Sequence, residues 1–220
     1  MCIRDRPKGD LVYPLSQHIG APATPVVAVG DKVLKGQKIA EAGGFVSSPI
    51  YASASGTVKA IEPHRVAVGD MVNSIVIEND GAFEEVEYTP CEDVTALSKE
   101  EIVNKVKEAG VVGMGGAGFP THVKLSPKEP EKIEYVIANC AECEPYLTAD
   151  YRRMLENPEE LIGGMKIILQ LFDHAKGVLG IEDNKPDCIE KLTELVKDEP
   201  RIEVCPLQTK YPQGGERQLI

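Results

Sequence analysis

Alternation of apolar and polar residues predicts short β-strands over residues 9–80. The stretch VAVGDKV, from Val27 to Val33, returns as VAVGDMV, from Val66 to Val72. In each copy apolar residues alternate with other residues up to a turn at a Gly-Asp pair, which is typical of a β-hairpin. SGTVKAIEP adds a further segment with the same alternation. No helical periodicity of useful length interrupts this region. Two similar halves predict a small barrel-like β-sandwich with quasi-twofold symmetry.

After an acidic linker over residues 81–97, the pattern changes to that of helices. Ser98 and Glu101 have the spacing of a capping box and open the segment KEEIVNKVKEAG. Gly110 is the predicted residue just past the end of this helix. The predicted buried stripe consists of Ile102, Val103, Val106 and Ala109.

The remainder of the chain alternates between apolar strands and amphipathic helices. KIEYVIANC, KGVLGIE and RIEVCPL are predicted strands, separated by NPEELIGGMKIILQLFDHA and KPDCIEKLTELVKDE. The first of these helices is expected to have Asn157 at its N-cap and Pro158 at its first position. This order predicts a Rossmann-like α/β domain over residues 98–220 with a mostly parallel sheet. Ligands bind beyond the carboxyl ends of such strands, which here carry NCAECEPY, EDNKP and QTKYPQGGE.

Composition narrows the possible partners. The 220 residues carry a net charge of −11, only 5% are aromatic and tryptophan is absent, which argues against a nucleic-acid partner. No apolar run approaches the roughly 20 residues that span a bilayer, and no signal peptide is visible. Six cysteines without a signal peptide predict reduced thiols in the cytosol. The apolar ending of YPQGGERQLI suggests that the protein continues beyond Ile220.

The segment GMGGAGFPTHVKL, from Gly113 to Leu125, begins with a run that is rich in glycine and has few large side chains. It matches G-x-G-x-x-G by letter, but it does not lie between a strand and a helix as the dinucleotide fingerprint requires. A Walker A loop is excluded because Phe119 stands where lysine is needed. The segment is either a flexible connector or a site where backbone amides approach a phosphate or a flat ring. In the second case Lys124 adds a positive charge and Phe119 a stacking face.

Two further features follow the first predicted strand of the α/β region. Cys140 and Cys143 form a single C-x-x-C, which is an incidental pair, half of a metal site, or a disulfide. Glu142, Glu144 and Asp150 form an acidic cluster that is either solvated or accepts hydrogen bonds from ribose hydroxyls.

The β repeat resembles lipoyl and biotinyl carrier modules, which attach their prosthetic group to a lysine at an exposed hairpin tip. The corresponding stretch here, EAGGFVSSPIYASASG, contains no lysine. A structural or docking function is therefore favoured over that of a carrier.

Longer motifs give a more specific resemblance. GMGGAGFPTHVKL, ANCAECEPYLTADYRRM, GIEDNKP and TKYPQGGERQLI, with the N-terminal β segments, resemble the RnfC family of the Rnf electron transport complex. The resemblance covers roughly residues 9–220 and extends more distantly to the NADH- and FMN-binding subunit of respiratory complex I. It implies electron transfer between NAD(H) and ferredoxin through FMN and iron–sulfur clusters, coupled to ion transport. It also implies peripheral attachment, through the other Rnf subunits, to the cytoplasmic side of the membrane.

The same resemblance implies which residues bind cofactors. The residues implied to cradle FMN are Gly115, Gly116, Ala117, Gly118 and Lys124, and Gly113 opens the same motif. Phe119 and Glu144 would face the nicotinamide nucleotide. Asn139 and Glu142 would hydrogen-bond flavin or ribose, while Gly214 and Glu216 would complete the flavin pocket. Flavin carries the hydride chemistry in this family, so no catalytic side chain and no metal ligand is predicted.

The chain also departs from the RnfC pattern. Two C-x-x-C-x-x-C-x-x-x-C-P motifs are missing, so two [4Fe–4S] clusters are expected only in a further C-terminal region. Two alternatives remain open. One is a flavin-dependent cobalamin reductase of bacterial microcompartments, which shares the glycine-rich and AECEPY-like motifs. The other is a non-catalytic docking module.

Overall fold

A computed structural model describes residues 6–114 and 116–220 of the chain. The described residues form two compact units. The first extends to Asp93 and includes Glu100–Pro127, and the second comprises Val94–Lys99 and Lys128–Ile220. Residues 100–127, which the sequence pattern assigns to the α/β domain, thus group with the β unit. The division into residues 9–80, 81–97 and 98–220 remains a prediction.

The first unit is built from two small antiparallel sheets. Its strands are β1 Leu11–Pro14, β2 Thr24–Pro25, β3 Lys32–Val33, β4 Lys38–Glu41, β5 Ile50–Tyr51, β6 Gly56–Arg65 and β7 Met71–Asn79. One sheet has the order β1-β7-β6-β3 and the other the order β2-β4-β5. Their inward-facing apolar residues form a single core that includes Tyr13, Val33, Ile39, Ile75 and Ile77. The predicted barrel-sandwich architecture is confirmed.

Only the second copy of the sequence repeat is a hairpin. Val66 donates its N–H to Asp70 O at the turn that joins β6 to β7, and these strands pair along their length. In the first copy, β3 pairs with β6, while Val26 before the turn bonds to Ile39 in the other sheet. The hairpin prediction is wrong for this copy because its turn carries the chain from one sheet to the other. The Asp31 carboxylate closes that turn by accepting the Ala28 N–H at 2.8 Å.

Two helices follow the β strands: α1 Lys99–Glu108 and the short α2 Thr121–Lys124. Ile102 is buried, as the periodicity of α1 predicts. Ala109 is exposed, so its place in the buried stripe is wrong, because the helix ends one residue earlier. Gly110 has φ +66°, the left-handed conformation expected just past a helix end.

The second unit contains a three-stranded parallel sheet with helices. Its elements are β8 Tyr135–Cys140, α3 Ala149–Glu156, α4 Pro158–Leu169, β9 Lys176–Glu182, α5 Pro186–Val196, β10 Ile202–Leu207 and α6 Glu216–Leu219. The strand order is β10-β9-β8 and both pairings are parallel, which confirms the predicted sheet. Helix α4 begins at Pro158 as expected, and Asn157 occupies the N-cap without a side-chain hydrogen bond.

One arginine ties the end of α4 to the start of β10. The Arg201 guanidinium donates to the carbonyls of Leu169, Phe172 and Ala175, at the end of α4 and in the turn that follows it. Buried Leu179 and Ile181 on β9 fix the central strand in the core. Because these strands are parallel, the carboxyl ends of β8, β9 and β10 meet at one edge of the sheet.

Among the described residues, no helix has both the length and the apolar character needed to cross a bilayer.

Candidate functional site

The glycine-rich loop of the first unit is a closed structure. Gly113 donates its N–H to Phe119 O at 2.8 Å, and Val112 bridges to Pro120. Gly116 has φ +129° and Gly118 has φ +59°, conformations that favour glycine. Gly115 lies outside the described residues. A loop of fixed conformation is favoured over a flexible connector.

Residues of the β-sandwich pack against this loop and support its conformation. Ile19 donates its N–H to Ala117 O at 2.9 Å. A Cβ on Gly118 would lie 2.8 Å from Gln17 O, so the two backbones approach more closely than any side chain allows. The β4–β5 connection reaches the same region, because His122 Nε2 lies 3.3 Å from Phe45 O. The stretch that corresponds to the lysine-bearing hairpin tip of carrier modules here contacts α2.

Lys124 and the open side of the loop give it the chemistry of a cofactor site. A Cβ on Gly113 would lie 2.7 Å from Lys124 Nζ, which is 5.9 Å from the centre of the Phe119 ring. Apart from Gly116 and its two chain neighbours, no described residue has an atom within 4 Å of the position that a Cβ on Gly116 would occupy. The loop combines main-chain amides, one ammonium and space for a flat group, and it fits the phosphate or ring of FMN.

In the second unit, a cleft of about 400 Å³ lies at the carboxyl ends of the three parallel strands. This is the edge at which the sequence pattern predicts a ligand. The lining residues that follow β8, β9 and β10 include Glu142, Glu144, Tyr146, Glu182, Lys185 and Tyr211.

At the start of each of the two helices that begin at this cleft, a carboxylate of the chain accepts backbone N–H groups. Glu142 accepts the N–H groups of Asp150 and Tyr151, at 2.8 and 3.2 Å, at the start of α3. Asp187 accepts the Cys188 N–H at 2.9 Å at the start of α5, and the Tyr151 hydroxyl at 2.5 Å. The Tyr151 hydrogen bond holds the pKa of Asp187 below its usual value. Glu142 thus has a structural task that its sequence position alone does not reveal.

The segments after β8 and β10 are joined by close polar contacts. Asn139 Nδ2 donates to Gly214 O at 2.7 Å, and Asn139 Oδ1 accepts the Ala141 N–H at 3.2 Å. Gly214 donates its N–H to Cys143 Sγ at 3.2 Å, while Glu216 begins α6 and is exposed. The structure therefore brings the predicted residues Asn139 and Gly214 into direct contact.

The C-x-x-C cysteines are both free thiols. Burial, followed by the charge of Asp150, raises the pKa of Cys140 to about 12, so this thiol is protonated near neutral pH. No group of three or more metal-binding side chains occurs among the described residues. Cys143 contributes instead to the contact with Gly214.

Glu144 lies at the mouth of the cleft beside Tyr211. A hydrogen bond to the Glu144 carboxylate, followed by the negative charge of that carboxylate, raises the pKa of Tyr211. Tyr146 is fully exposed with φ +66°. At the mouth of the cleft, Glu144 therefore supplies a hydrogen-bond acceptor, and Tyr146 and Tyr211 supply aromatic rings.

Sequence reasoning missed a buried ion pair in the wall of this cleft. Glu182 ends β9 and is 1% exposed, and Lys185 at the start of α5 is 8% exposed. Their side chains lie 3.4 Å apart, from Lys185 Nζ to Glu182 Oε2. The available signal was a glutamate that ends an otherwise apolar strand in KGVLGIE.

Two families match separate parts of the chain. Residues 3–82 match the RnfC barrel sandwich hybrid domain. Residues 106–220 match the Nuo51 FMN-binding domain, and this range includes both the glycine-rich loop and the cleft.

Individual relatives are similar over nearly the whole chain. The C subunit of the Na(+)-translocating ferredoxin:NAD(+) oxidoreductase complex of Acetobacterium woodii is 46% identical over 96% of this chain and 48% of its own length. The proton-translocating counterpart of Clostridium ljungdahlii is 48% identical over 97% of this chain and 47% of its own length. In Pseudomonas aeruginosa, the corresponding subunit of an ion-translocating oxidoreductase complex is 44% identical over 95% of this chain and 27% of its own length. The chain spans about half the length of these relatives, or less.

Proposed function

Because the chain belongs to the RnfC family and carries the Nuo51 FMN-binding domain, we propose that it is an NADH- and FMN-binding electron-transfer portion of an ion-translocating oxidoreductase. The observation that supports this most directly is the glycine-rich loop. It lies in the segment that matches the FMN-binding domain, and it combines open space at Gly116 with the Lys124 ammonium.

The loop would bind FMN chiefly through its main chain. Gly116 leaves one side of the main chain open, and Ala117 adds only a methyl group. The Lys124 ammonium would neutralise an anionic group of the flavin, and the β-sandwich would hold the loop in place before the ligand arrives. FMN, when bound, supplies the hydride and electron-transfer chemistry.

The cleft of the second unit would bind the nicotinamide nucleotide. Glu144 offers a carboxylate acceptor at the mouth of this cleft. Phe119 stays predicted, from the family resemblance, to face the nicotinamide nucleotide. Asn139 stays predicted, from the family resemblance, to hydrogen-bond flavin or ribose, and Gly214 and Glu216 to complete the flavin pocket. Glu142 would act mainly by ordering α3, because its carboxylate already accepts two backbone N–H groups.

Onward electron transfer and assembly would need the rest of the protein. Two [4Fe–4S] clusters would lie in residues beyond this chain. Its partners would be the other Rnf subunits. The complex would hold it peripherally at the cytoplasmic side of the membrane. Relatives that are named as parts of such complexes support this assignment.

Flavin reconstitution tests the proposed function. The purified chain is incubated with FMN, passed through gel filtration and then mixed with NADH without oxygen. We expect the visible flavin absorbance to elute with the protein and to bleach on addition of NADH. A protein that retains no flavin would contradict the proposal and favour the docking module.

Replacing Glu144 by Gln tests the role of this carboxylate. We expect FMN retention to be unchanged and NADH-driven flavin bleaching to slow about tenfold or more, because a hydrogen bond to a charged group is worth about 1.5–3 kcal/mol. Stopped-flow absorbance measures the rate. Glu190→Gln, on the exposed side of α5, is the matched control. Equal rates in the two variants would exclude contact between Glu144 and the nucleotide.

A further inference from the structure

The buried pair of Glu182 and Lys185 has unused hydrogen-bonding capacity. Glu182 Oε1 is inaccessible to water and has no hydrogen-bond partner among the described residues. The Lys185 ammonium donates to Glu182 Oε2 at 3.4 Å and to Asn184 Oδ1 at 3.2 Å. An ammonium has three N–H groups, so one remains for a ligand. Both side chains belong to residues that line the cleft.

An unpaired buried carboxylate oxygen destabilises a protein unless something supplies a donor. The carboxyl group of Glu182 turns about a soft terminal torsion, so Oε1 can be presented to the cleft at little cost. A bound group that brings an N–H would satisfy this oxygen, and an acceptor beside that N–H would meet the remaining proton of Lys185. The pair therefore matches a ligand edge with a donor and an acceptor side by side.

The surrounding charges favour an uncharged edge over an anion. Glu142 and Glu144 line the same cleft. Burial, followed by the negative charge of Glu142, raises the pKa of Asp150, and the charge of Lys185 opposes that rise. The first turns of α3 and α5 already hold the carboxylates of Glu142 and Asp187, which accept backbone N–H groups there. A phosphate placed against the pair itself would meet this negative charge without a free helix end, although Lys210 also lines the cleft.

We propose that Glu182 and Lys185 form a recognition pair for an amide or amino edge of the nicotinamide nucleotide, which extends the nucleotide site proposed above. Glu182 accepts the ligand N–H and Lys185 donates to the neighbouring carbonyl or ring nitrogen. A nicotinamide dinucleotide presents two such edges, the carboxamide and the aminopurine. Both residues position the ligand and take no part in the chemistry.

Titration calorimetry of the FMN-loaded protein with oxidised dinucleotides tests the pair without any redox reaction. The probes are NAD+, its 3-acetylpyridine analogue, which lacks the carboxamide N–H, and its hypoxanthine analogue, which lacks the adenine amino group. We expect one analogue to bind the unaltered protein about tenfold or more weakly than NAD+, because a buried acceptor is left unpaired. If both analogues bind as tightly as NAD+, the pair does not recognise such an edge.

A double variant, Glu182→Met with Lys185→Met, removes both charges together. Replacing a buried ion pair by apolar side chains of similar size is often neutral for stability, so this variant is expected to fold. We expect it to bind NAD+ and the weaker analogue within about threefold of each other. If it keeps the discrimination of the unaltered protein, Glu182 and Lys185 are not its source.

The outcomes for the two proposals are separable. If the FMN-loaded protein binds no NAD+, the proposed nucleotide site fails and the recognition pair fails with it. If NAD+ binds and neither analogue is discriminated against, the proposed function stands and only the pair is overturned. The comparison of ligands on the unaltered protein decides this even if the double variant does not fold.

Discussion

Replacing Gly116 by Val is expected to abolish FMN retention. The position that a Cβ would occupy is open, with no atom of a described residue beyond Gly116 and its two chain neighbours within 4 Å, so the added side chain would project into the space proposed for the flavin. Burying a flat ring against main-chain amides requires an approach that a branched side chain blocks. We therefore expect no flavin absorbance in the protein fraction after gel filtration.

Backbone strain at Gly116 must be separated from exclusion of the ligand. Gly116 has φ +129°, where any side chain is strained, at a cost on the order of 1–3 kcal/mol. Gly69, in the turn between β6 and β7, has φ +94° and equally open surroundings among the described residues. Gly69→Val thus carries a similar strain away from the loop and should retain FMN. Flavin retention in Gly116→Val would show that the loop is not the cradle, and flavin loss in both variants would show that strain and not exclusion of the ligand removes it.

Much of the fold could be predicted from local pattern. The parallel sheet follows from apolar strands and amphipathic helices in alternation, because a helix is the usual crossover between two parallel strands. The hairpin at Gly69 was likewise predictable. The other copy of the repeat was not, because Val27 to Val33 has the same local letters and only its long-range strand partners make it a crossover between sheets.

The sequence predicts which segments form the candidate site, but it does not predict the contacts that their side chains make. The carboxyl-edge segments could be expected to lie together because parallel strands end at one edge. The contact of Glu142 with the first turn of α3 depends on how the chain turns after β8, and the burial of Glu182 depends on packing around β9. Neither property is encoded in local residue spacing. The support of Ala117 by Ile19 joins segments distant in sequence, which a single sequence does not link.

Replacing Gly214 by Ala is expected to destabilise the second unit strongly. A Cβ there would lie 2.3 Å from Ala141 O and 3.2 Å from Cys143 Sγ, so backbone must move to admit it. That movement would break the contacts of Gly214 with Asn139 and Cys143. We expect the free energy of unfolding to fall by about 3 kcal/mol, at the upper end of overpacking effects. Denaturant unfolding followed by circular dichroism measures this loss.

The neighbouring glycine provides a matched comparison for this prediction. A Cβ on Gly215 would lie 3.1 Å from Pro212 O, a contact that a small shift relieves, and its φ of −66° suits alanine. Alanine there also reduces the conformational freedom of the unfolded chain, which stabilises by about 0.4–1 kcal/mol. Gly215→Ala should therefore unfold at nearly the denaturant concentration of the unaltered protein. If Gly214→Ala also did so, the loops after β8 and β10 would not be packed as closely as the Asn139–Gly214 contact requires.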